Sequence, residues 1–453
     1  MWWKPGSART AGISTRLSNK MLRMNELLIA HVLLDEGSAR EFPFLRRDLR
    51  AGDCVVVAPG KTLSGAYDAV LERQLVDRTD AHAELLSLIS RLKALAPDPA
   101  FQRKADAAAE NIYSVLCQGM SLSFRDNGLT DYLHALFVQL CGQCLGAALG
   151  AQTVLDGREV ILCESNNGIP MIDRPLTEKR IAELKGRASL TVVSGSFGRK
   201  VTGETVNLGT GGSELTASIL AAVLQARAIR HYVSGFAYAE SAALTYEEAA
   251  QRFSSGEPVY PPAMLPARKA AIPVEVAGLD TEGKLLLTIG PAPEGRAPEG
   301  ITGVVRSGAM TLLTVYGSGL LGSVGISSAL FGILAKEGVN IHFISQSVAE
   351  YSISFAVKRP DTEQAKRALD ALISNTFRSS FTDLSYTSVP VEIVSVFGQG
   401  MRHVPGISGR VYSALGAAGV NVVASSQGGE ELSISVVVGE ADAQKAKEAL
   451  ERL

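Results

Sequence analysis

Short apolar runs and longer segments of helical periodicity alternate through the first two thirds of the chain. CVVVAPG (54–60), LTVVSGS (190–196) and IRHYVSGF (229–236) read as strands, while LTDYLHALFVQLC (129–141) and ELTASILAAVLQARA (214–228) read as helices. Strands alternating with helices predict a mainly parallel sheet flanked by helices. The stretch PAPEGRAPEG (291–300), rich in proline, glycine and charge, has a linker's composition, which places a first domain at 1–295.

Beyond it the pattern repeats. TVYGSGLLGSVGISSALFGILAKEGVNIHFISQSVAEYSISF (314–355) returns as SVFGQGMRHVPGISGRVYSALGAAGVNVVASSQGGEELSISV (395–436), with Gly317 and Gly398, Asn340 and Asn421, and Gln346 and Gln427 keeping one offset of 81 positions. Each copy reads as a strand, a glycine turn, a helix whose apolar face in the first copy is Ile326, Leu330, Ile333 and Leu334, two further strands and a second helix. This β-α-β-β-α order is ferredoxin-like and predicts domains at 303–390 and 391–453. LSYTSVPV (384–391) supplies a fourth strand to the first copy. The second copy ends straight after its last helix and needs a borrowed strand, for which GVVRSG (303–308) is the expected donor.

Composition narrows the partners. With 44 basic and 46 acidic residues dispersed along 453 positions, the net charge is −2, so no basic footprint for nucleic acid is present and small molecules are the expected ligands. LHALFVQLCGQCLGAALGA (133–151) is interrupted by polar residues and reads as a buried helix rather than a membrane span. The N-terminus has no apolar signal core, which makes the cytoplasm the expected location. Five scattered cysteines predict no disulfide framework, and Cys141 with Cys144, inside the apolar helix, reads as packing rather than metal ligation.

Several stretches carry a resemblance. QSVAEYSISF and SQGGEELSISVVV resemble the effector-site strands of the paired ACT domains of aspartate kinases. VNLGTGGSELTASILAAVL resembles that family's T-T-L-G-R-G-G-S-D-Y-T-A signature, and PARKAAIPVEV, VVVAPGKTLSGAYDAVLE and DGREVILCESN resemble further segments of it. The resemblance implies an α/β amino-acid-kinase fold followed by two ferredoxin-like ACT domains. It also implies phosphorylation of the β-carboxylate of L-aspartate by ATP with Mg2+, feedback by threonine or lysine, and a homodimer joined through the ACT pair.

Residue by residue, Lys4 would be the catalytic lysine of a K-F-G-G-T-S segment, with Gly6 and Ser7 beside the phosphates. Gly209, Gly211, Gly212 and Ser213 form either a phosphate cradle at a helix N-terminus or a plain tight turn into a helix. Glu214 stands where the family has a catalytic aspartate, its carboxylate one methylene further out. Gly325 and Ile326, with Gly406 and Ile407, would offer backbone N–H groups to an effector carboxylate. Asn340, Gln346, Asn421 and Gln427 either bind its amine or side chain, or cap strand ends and face solvent. His342 and His403 do not recur at the offset and read as surface or packing residues.

Other positions depart from the family. A substrate-orienting glutamate aligns with Leu129, the substrate-gripping arginine with Glu204, and the nucleotide-side W-T-D-V-D-G with Tyr232 to Ala237. Glu204 in a carboxylate site would repel its substrate. Lys61, in APGKT, lacks the first glycine of a Walker loop and reads as a solvated loop lysine. Two functions therefore stay open: an aspartate kinase with amino-acid feedback, or a catalytically inactive homologue that senses an amino acid or regulates a partner.

Overall fold

The computed structural model describes residues 27–121, 127–166, 169–185, 189–236, 242–253, 258–291, 300–320, 325–347, 351–377, 383–429 and 431–453. The chain divides into two units, Met1–Ala292 and Pro293–Leu453. Most of the expected linker, residues 292–299, lies outside the described residues, as do Lys4, Gly6 and Ser7.

Among the described residues the first unit has twelve strands: β1 (Leu28–Leu34), β2 (Cys54–Pro59), β3 (Thr153–Asp156), β4 (Leu162–Asn166), β5 (Ile169–Ile172), β6 (Thr191–Ser194), β7 (Phe197–Lys200), β8 (Thr205–Asn207), β9 (Ala228–Val233), β10 (Ala242–Thr245), β11 (Val274–Gly278) and β12 (Leu285–Gly290). Eight of them form one sheet in the order β10-β12-β11-β9-β1-β2-β6-β3, parallel throughout except where β11 meets β12. The order β5-β4-β7-β8 makes a smaller second sheet.

Parallel strands with helices on both faces bury both sides, so their sequences read as continuous apolar runs. On β1 the side chains alternate between two cores. Leu28, Ala30, Val32 and Leu34 join the cluster formed with helices Lys61–Leu71, His82–Leu95, Pro99–Ser121 and Asn127–Leu149. Ile29 faces the other cluster, against helix Gly212–Leu224, and His31 and Leu33 follow it on that face. Helix Asn127–Leu149 is long and apolar enough over Gly128–Leu149 to cross a membrane, although it carries Asp131, and it is mostly buried, as the sequence reading of a buried helix expects. Here Leu133, Phe137, Leu140, Cys141, Cys144 and Leu145 bury it against the sheet. The Cys144 thiol reaches the Leu92 carbonyl at 3.5 Å, and burial pushes its pKa up to about 12.

The second unit contains β13 (Gly303–Arg306), β14 (Met310–Tyr316), β15 (Phe343–Gln346), β16 (Ser352–Lys358), β17 (Ser385–Phe397), β18 (Val422–Gln427) and β19 (Ser433–Gly439). They form one antiparallel sheet in the order β15-β16-β14-β17-β19-β18, with β13 added to β17. The long β17 serves both repeats. Its first half pairs with β14, and its second half pairs with β19 and with β13, so the strand before the first copy completes the second. Each copy packs its helices on one sheet face around its own core, centred on Leu313, Leu330, Phe355 and Leu369 in one and on Val396, Val411, Val436 and Ala446 in the other. The opposite face closes over a smaller cluster that includes Met310, Leu312, Phe343 and Ile393.

The join at β13 depends on close backbone approach. A Cβ on Gly398 would lie 2.2 Å from the Gly300 carbonyl oxygen and 2.8 Å from the Thr302 nitrogen, both backbone atoms. Gly398→Ala is therefore expected to destabilise the second unit by about 1–3 kcal/mol, because the strand beside β17 must shift. Urea denaturation followed by circular dichroism would measure it; an unchanged midpoint would refute the constraint.

Candidate functional site

In a parallel sheet the carboxyl ends of the strands are where ligands bind. At those ends of β1 and β2, beside Leu33, Ala58 and Pro59, lies a cavity of about 400 Å3. The start of helix Asn127–Leu149 borders it with Thr130, Asp131 and His134, and the loop from Asn207 to Ser213 closes it below. Gly209 and Gly211 both have positive φ, 77° and 71°, which turns the chain sharply into helix Gly212–Leu224. A side chain at Gly211 would also strike the Tyr260 ring, 2.3 Å from an added Cβ. The four sequence-predicted loop residues Gly209, Gly211, Gly212 and Ser213 thus come together at the cavity wall.

Beneath the loop lies a group that the sequence reading passed over. His31 and His231 face one another in the parallel register of β1 and β9. The Ser213 Oγ lies 2.9 Å from His31 Nε2, and His31 Nδ1 lies 2.9 Å from His231 Nδ1. The two rings meet edge to face, with centroids 4.8 Å apart. Burial lowers the pKa of His31 to about 4 and that of His231 well below its usual value, the latter also through the proximity of His31. Both rings are therefore neutral near pH 7. Their signal in the sequence is one histidine in each of the strands LIAHVLL and AIRHYV.

Glu214 turns away from the cavity. Its Oε2 accepts a hydrogen bond from the Tyr260 backbone N–H at 2.6 Å, and burial raises its pKa to about 7 despite that bond. Asp131, two positions beyond Leu129, brings a carboxylate to the cavity. Burial raises its pKa, opposed by a hydrogen bond from Asn207 at 3.3 Å. The imidazole of His134 is held between the Thr130 carbonyl at 2.8 Å and Asp68 at 2.7 Å. Arg199 follows Phe197 on the same face of β7, and Phe197 lines the cavity. The Arg199 Nε is buried without a hydrogen-bond partner among the described residues.

In the second unit another cavity, of about 380 Å3, opens at the start of helix Ile407–Ala417. Gly406, Ile407 and Gln427 line it together, and Ser408 donates to Gln427 Oε1 at 3.3 Å. His403 and Glu431 complete one side, with the His403 backbone N–H donating to Glu431 Oε2 at 2.7 Å. His403 is therefore a cavity residue and not merely a surface one. Asn421 is exposed outside this lining. In the first copy Gly325 caps the equivalent helix ahead of Ile326, Asn340 approaches His342 Nε2 at 3.3 Å, and Gln346 ends β15 exposed. The neighbouring residues 321–324 and 348–350 lie outside the described set.

A family model described as ACT domain matches residues 313–372 and 394–453. The E. coli aspartokinase III structure with aspartate and ADP superposes at a TM-score of 0.73 and 18% identity, covering 94% of this chain and 100% of that one. The aspartate kinase of Clostridium acetobutylicum gives 0.68 at 16%, covering 94% and 99%. In sequence, the bifunctional aspartokinase/homoserine dehydrogenase of Haemophilus influenzae is 29% identical over 54% of this chain and 32% of its own length. Aspartokinase 2 of Bacillus subtilis is also 29% identical, over 60% of this chain and 67% of its own. The second unit carries two ACT domains, and over most of its length the chain is similar to aspartate kinases in fold and in sequence.

It spans about a third of the length of the bifunctional relatives it matches. Against the aspartate kinase pattern, the buried strand beside CVVVAP is β1, Leu28–Leu34, which brings His31 under the glycine loop. Glu204 does not project into the cavity as the alignment suggested. It closes the exposed β7–β8 hairpin through an ion pair with Lys200 and is not among the residues lining the cavity. Tyr232, where the resemblance places the family's nucleotide-side segment, is buried and donates its hydroxyl to Asp48. Lys61 begins helix Lys61–Leu71 and is absent from the cavity lining. No described residue lining the cavity is a lysine or an arginine, whereas Asp131 is an acid. A nucleoside triphosphate with Mg2+ requires positive charge around its phosphates, and the described lining residues do not fit it.

Proposed function

We propose that this protein is an amino-acid-binding, regulatory member of the aspartate kinase family whose kinase-fold unit does not phosphorylate aspartate. The observation that carries the reading is His31. It fills the space against the glycine loop as a neutral ring, committed to Ser213 on one side and His231 on the other. Transfer of a γ-phosphoryl group is catalysed by positioning and neutralising charge, which a neutral, doubly hydrogen-bonded imidazole does not supply. The binding function rests on the second unit. There the N–H groups at the start of helix Ile407–Ala417 suit a carboxylate, and Glu431 and Gln427 suit an ammonium, the two ends of a free amino acid.

Calorimetry of the full chain with threonine and with lysine tests this. Heat from at least one is expected, and Glu431→Ala should weaken it about tenfold to a hundredfold, for a charge-assisted hydrogen bond of roughly 1.5–3 kcal/mol. Silence with both would count against the sensor. A second reading, an aspartate kinase with a rebuilt acceptor site, is favoured by the carboxylate of Asp131 and by the orphaned Arg199 Nε beside the cavity-lining Phe197. Mg-ATP and L-aspartate with hydroxylamine separate the two: hydroxamate above background would establish the kinase.

A further inference from the structure

We propose that Ser213, His31 and His231 form a nucleophile–base–positioning triad that acylates Ser213 from small carboxylic esters or thioesters entering the cavity beside the glycine loop. The inference goes beyond amino-acid sensing and does not depend on the second unit.

Three observations converge. First, the distances are those of a working relay: 2.9 Å from Ser213 Oγ to His31 Nε2 and 2.9 Å from His31 Nδ1 to His231 Nδ1. Activation of a serine needs a base within hydrogen-bond reach and a third group that orients the base. With Nε2 of His31 accepting from the serine hydroxyl, its Nδ1–H donates to the lone pair of His231 Nδ1, which fixes the ring and its tautomer. Second, the constellation is rigid. His31 and His231 stand on adjacent central strands in direct register, and Ser213 is fixed in the first turn of a buried helix. An added Cβ on Gly195 would lie 2.7 Å from Ser213 Cβ, so there is little room for the serine to move. Third, Ser213 borders an open cavity of about 400 Å3, and its own N–H and that of Glu214 belong to a first helical turn, which has no preceding turn of carbonyls to bond. Such amides stabilise the negative oxygen that forms when a carbonyl is attacked.

The step balances without an oxidant or a metal. Ser213 Oγ bonds to the acyl carbon as its proton passes to His31 Nε2. The carbon–oxygen or carbon–sulfur bond to the leaving group breaks, and the departing alcohol or thiol takes that proton. Water then attacks the acyl-serine, with His31 again receiving and returning the proton, to release a carboxylic acid and free Ser213. Asp131 and the hydrogen-bonded His134, which line the same cavity, favour an acyl group that carries an amine. His231 touches no substrate and acts as a positioning residue for His31.

The test is covalent labelling of the full-length protein with a fluorophosphonate, mapped by peptide mass spectrometry. Labelling at Ser213 is expected, absent in Ser213→Ala and at least tenfold slower in His31→Gln. His231→Gln should lower the maximal labelling rate without changing the probe concentration that gives half of it, whereas a merely structural loss would also alter the melting curve. If His31→Gln does not fold, site mapping in the wild type against Ser213→Ala still decides. No phosphonylation of Ser213 in folded wild-type protein, or equal rates in wild type and folded His31→Gln, overturns the triad. Ser213→Ala should leave amino-acid binding by the second unit intact, so failure of one reading is distinguishable from failure of the other.

Discussion

Replacing Glu214 by glutamine is expected to stabilise the protein at pH 8 by roughly 3 kcal/mol and to change it by less than about 0.5 kcal/mol at pH 4.5. In the folded protein burial holds the Glu214 pKa at about 7, above its ordinary 4.5. The unfolded chain therefore ionises first. Below pH 4.5 both states are protonated and the buried acid costs nothing in charge. As pH rises from 4.5 to 7, the unfolded state is progressively favoured, and by pH 8 the fold carries a buried carboxylate that accepts a hydrogen bond from the Tyr260 N–H. Glutamine keeps an acceptor oxygen for that N–H and removes the charge. Thermal melts of the two proteins at both pH values would show it as a rise of several degrees in Tm at pH 8 alone. Destabilisation at pH 8 would mean that the ionised carboxylate is satisfied by something else, as a catalytic site with a bound cation would require.

Acidification works through His31 and His231 in the opposite direction. Their folded-state pKa values lie below the ordinary 6.5, at about 4 for His31, because burial penalises the imidazolium. The stability they contribute is present in full above pH 6.5 and is lost as pH falls towards the folded pKa. By pH 4 the loss from His31 alone reaches roughly 3 kcal/mol. Glu214 opposes this between pH 7 and 4.5, so the cleanest measurement uses Glu214→Gln as the background and follows its urea midpoint from pH 7 to pH 4. Histidine 15N spectra give an independent reading. Two ring pairs should remain unshifted from pH 8 to pH 5, and titration of all six histidines near 6.5 would show that the relay is open to solvent.

The glycine loop was legible because its chemistry is local. Gly209, Gly211 and Ser213 are consecutive enough for a turn into a helix to be read from spacing alone. Glu214 was visible as well, but not its direction: Tyr260, 46 positions away, supplies the N–H that turns the carboxylate inwards. Glu204 misled for the same reason, since alignment records position along the chain while the hairpin with Lys200 decides where the side chain projects. His31 and His231 are 200 positions apart and become partners only through the parallel pairing of β1 with β9. His403 failed the repeat test but gained its place in the cavity from Glu431, 28 positions away.

What the sequence determined by itself was whatever rests on periodicity and repetition. The alternation of apolar runs and helices, the offset of 81 between the two copies, and the unmatched strand at GVVRSG together imposed a helix-flanked sheet followed by paired units, with β13 completing the second. Hydrophobic patterning fixes which faces are buried, and one missing strand leaves one place for a donor. The tertiary structure alone decided the chemistry, because hydrogen-bond partners and pKa depend on burial and on groups brought together from distant strands. It set a neutral Ser213–His31–His231 relay, rather than a charged group, beneath the glycine loop.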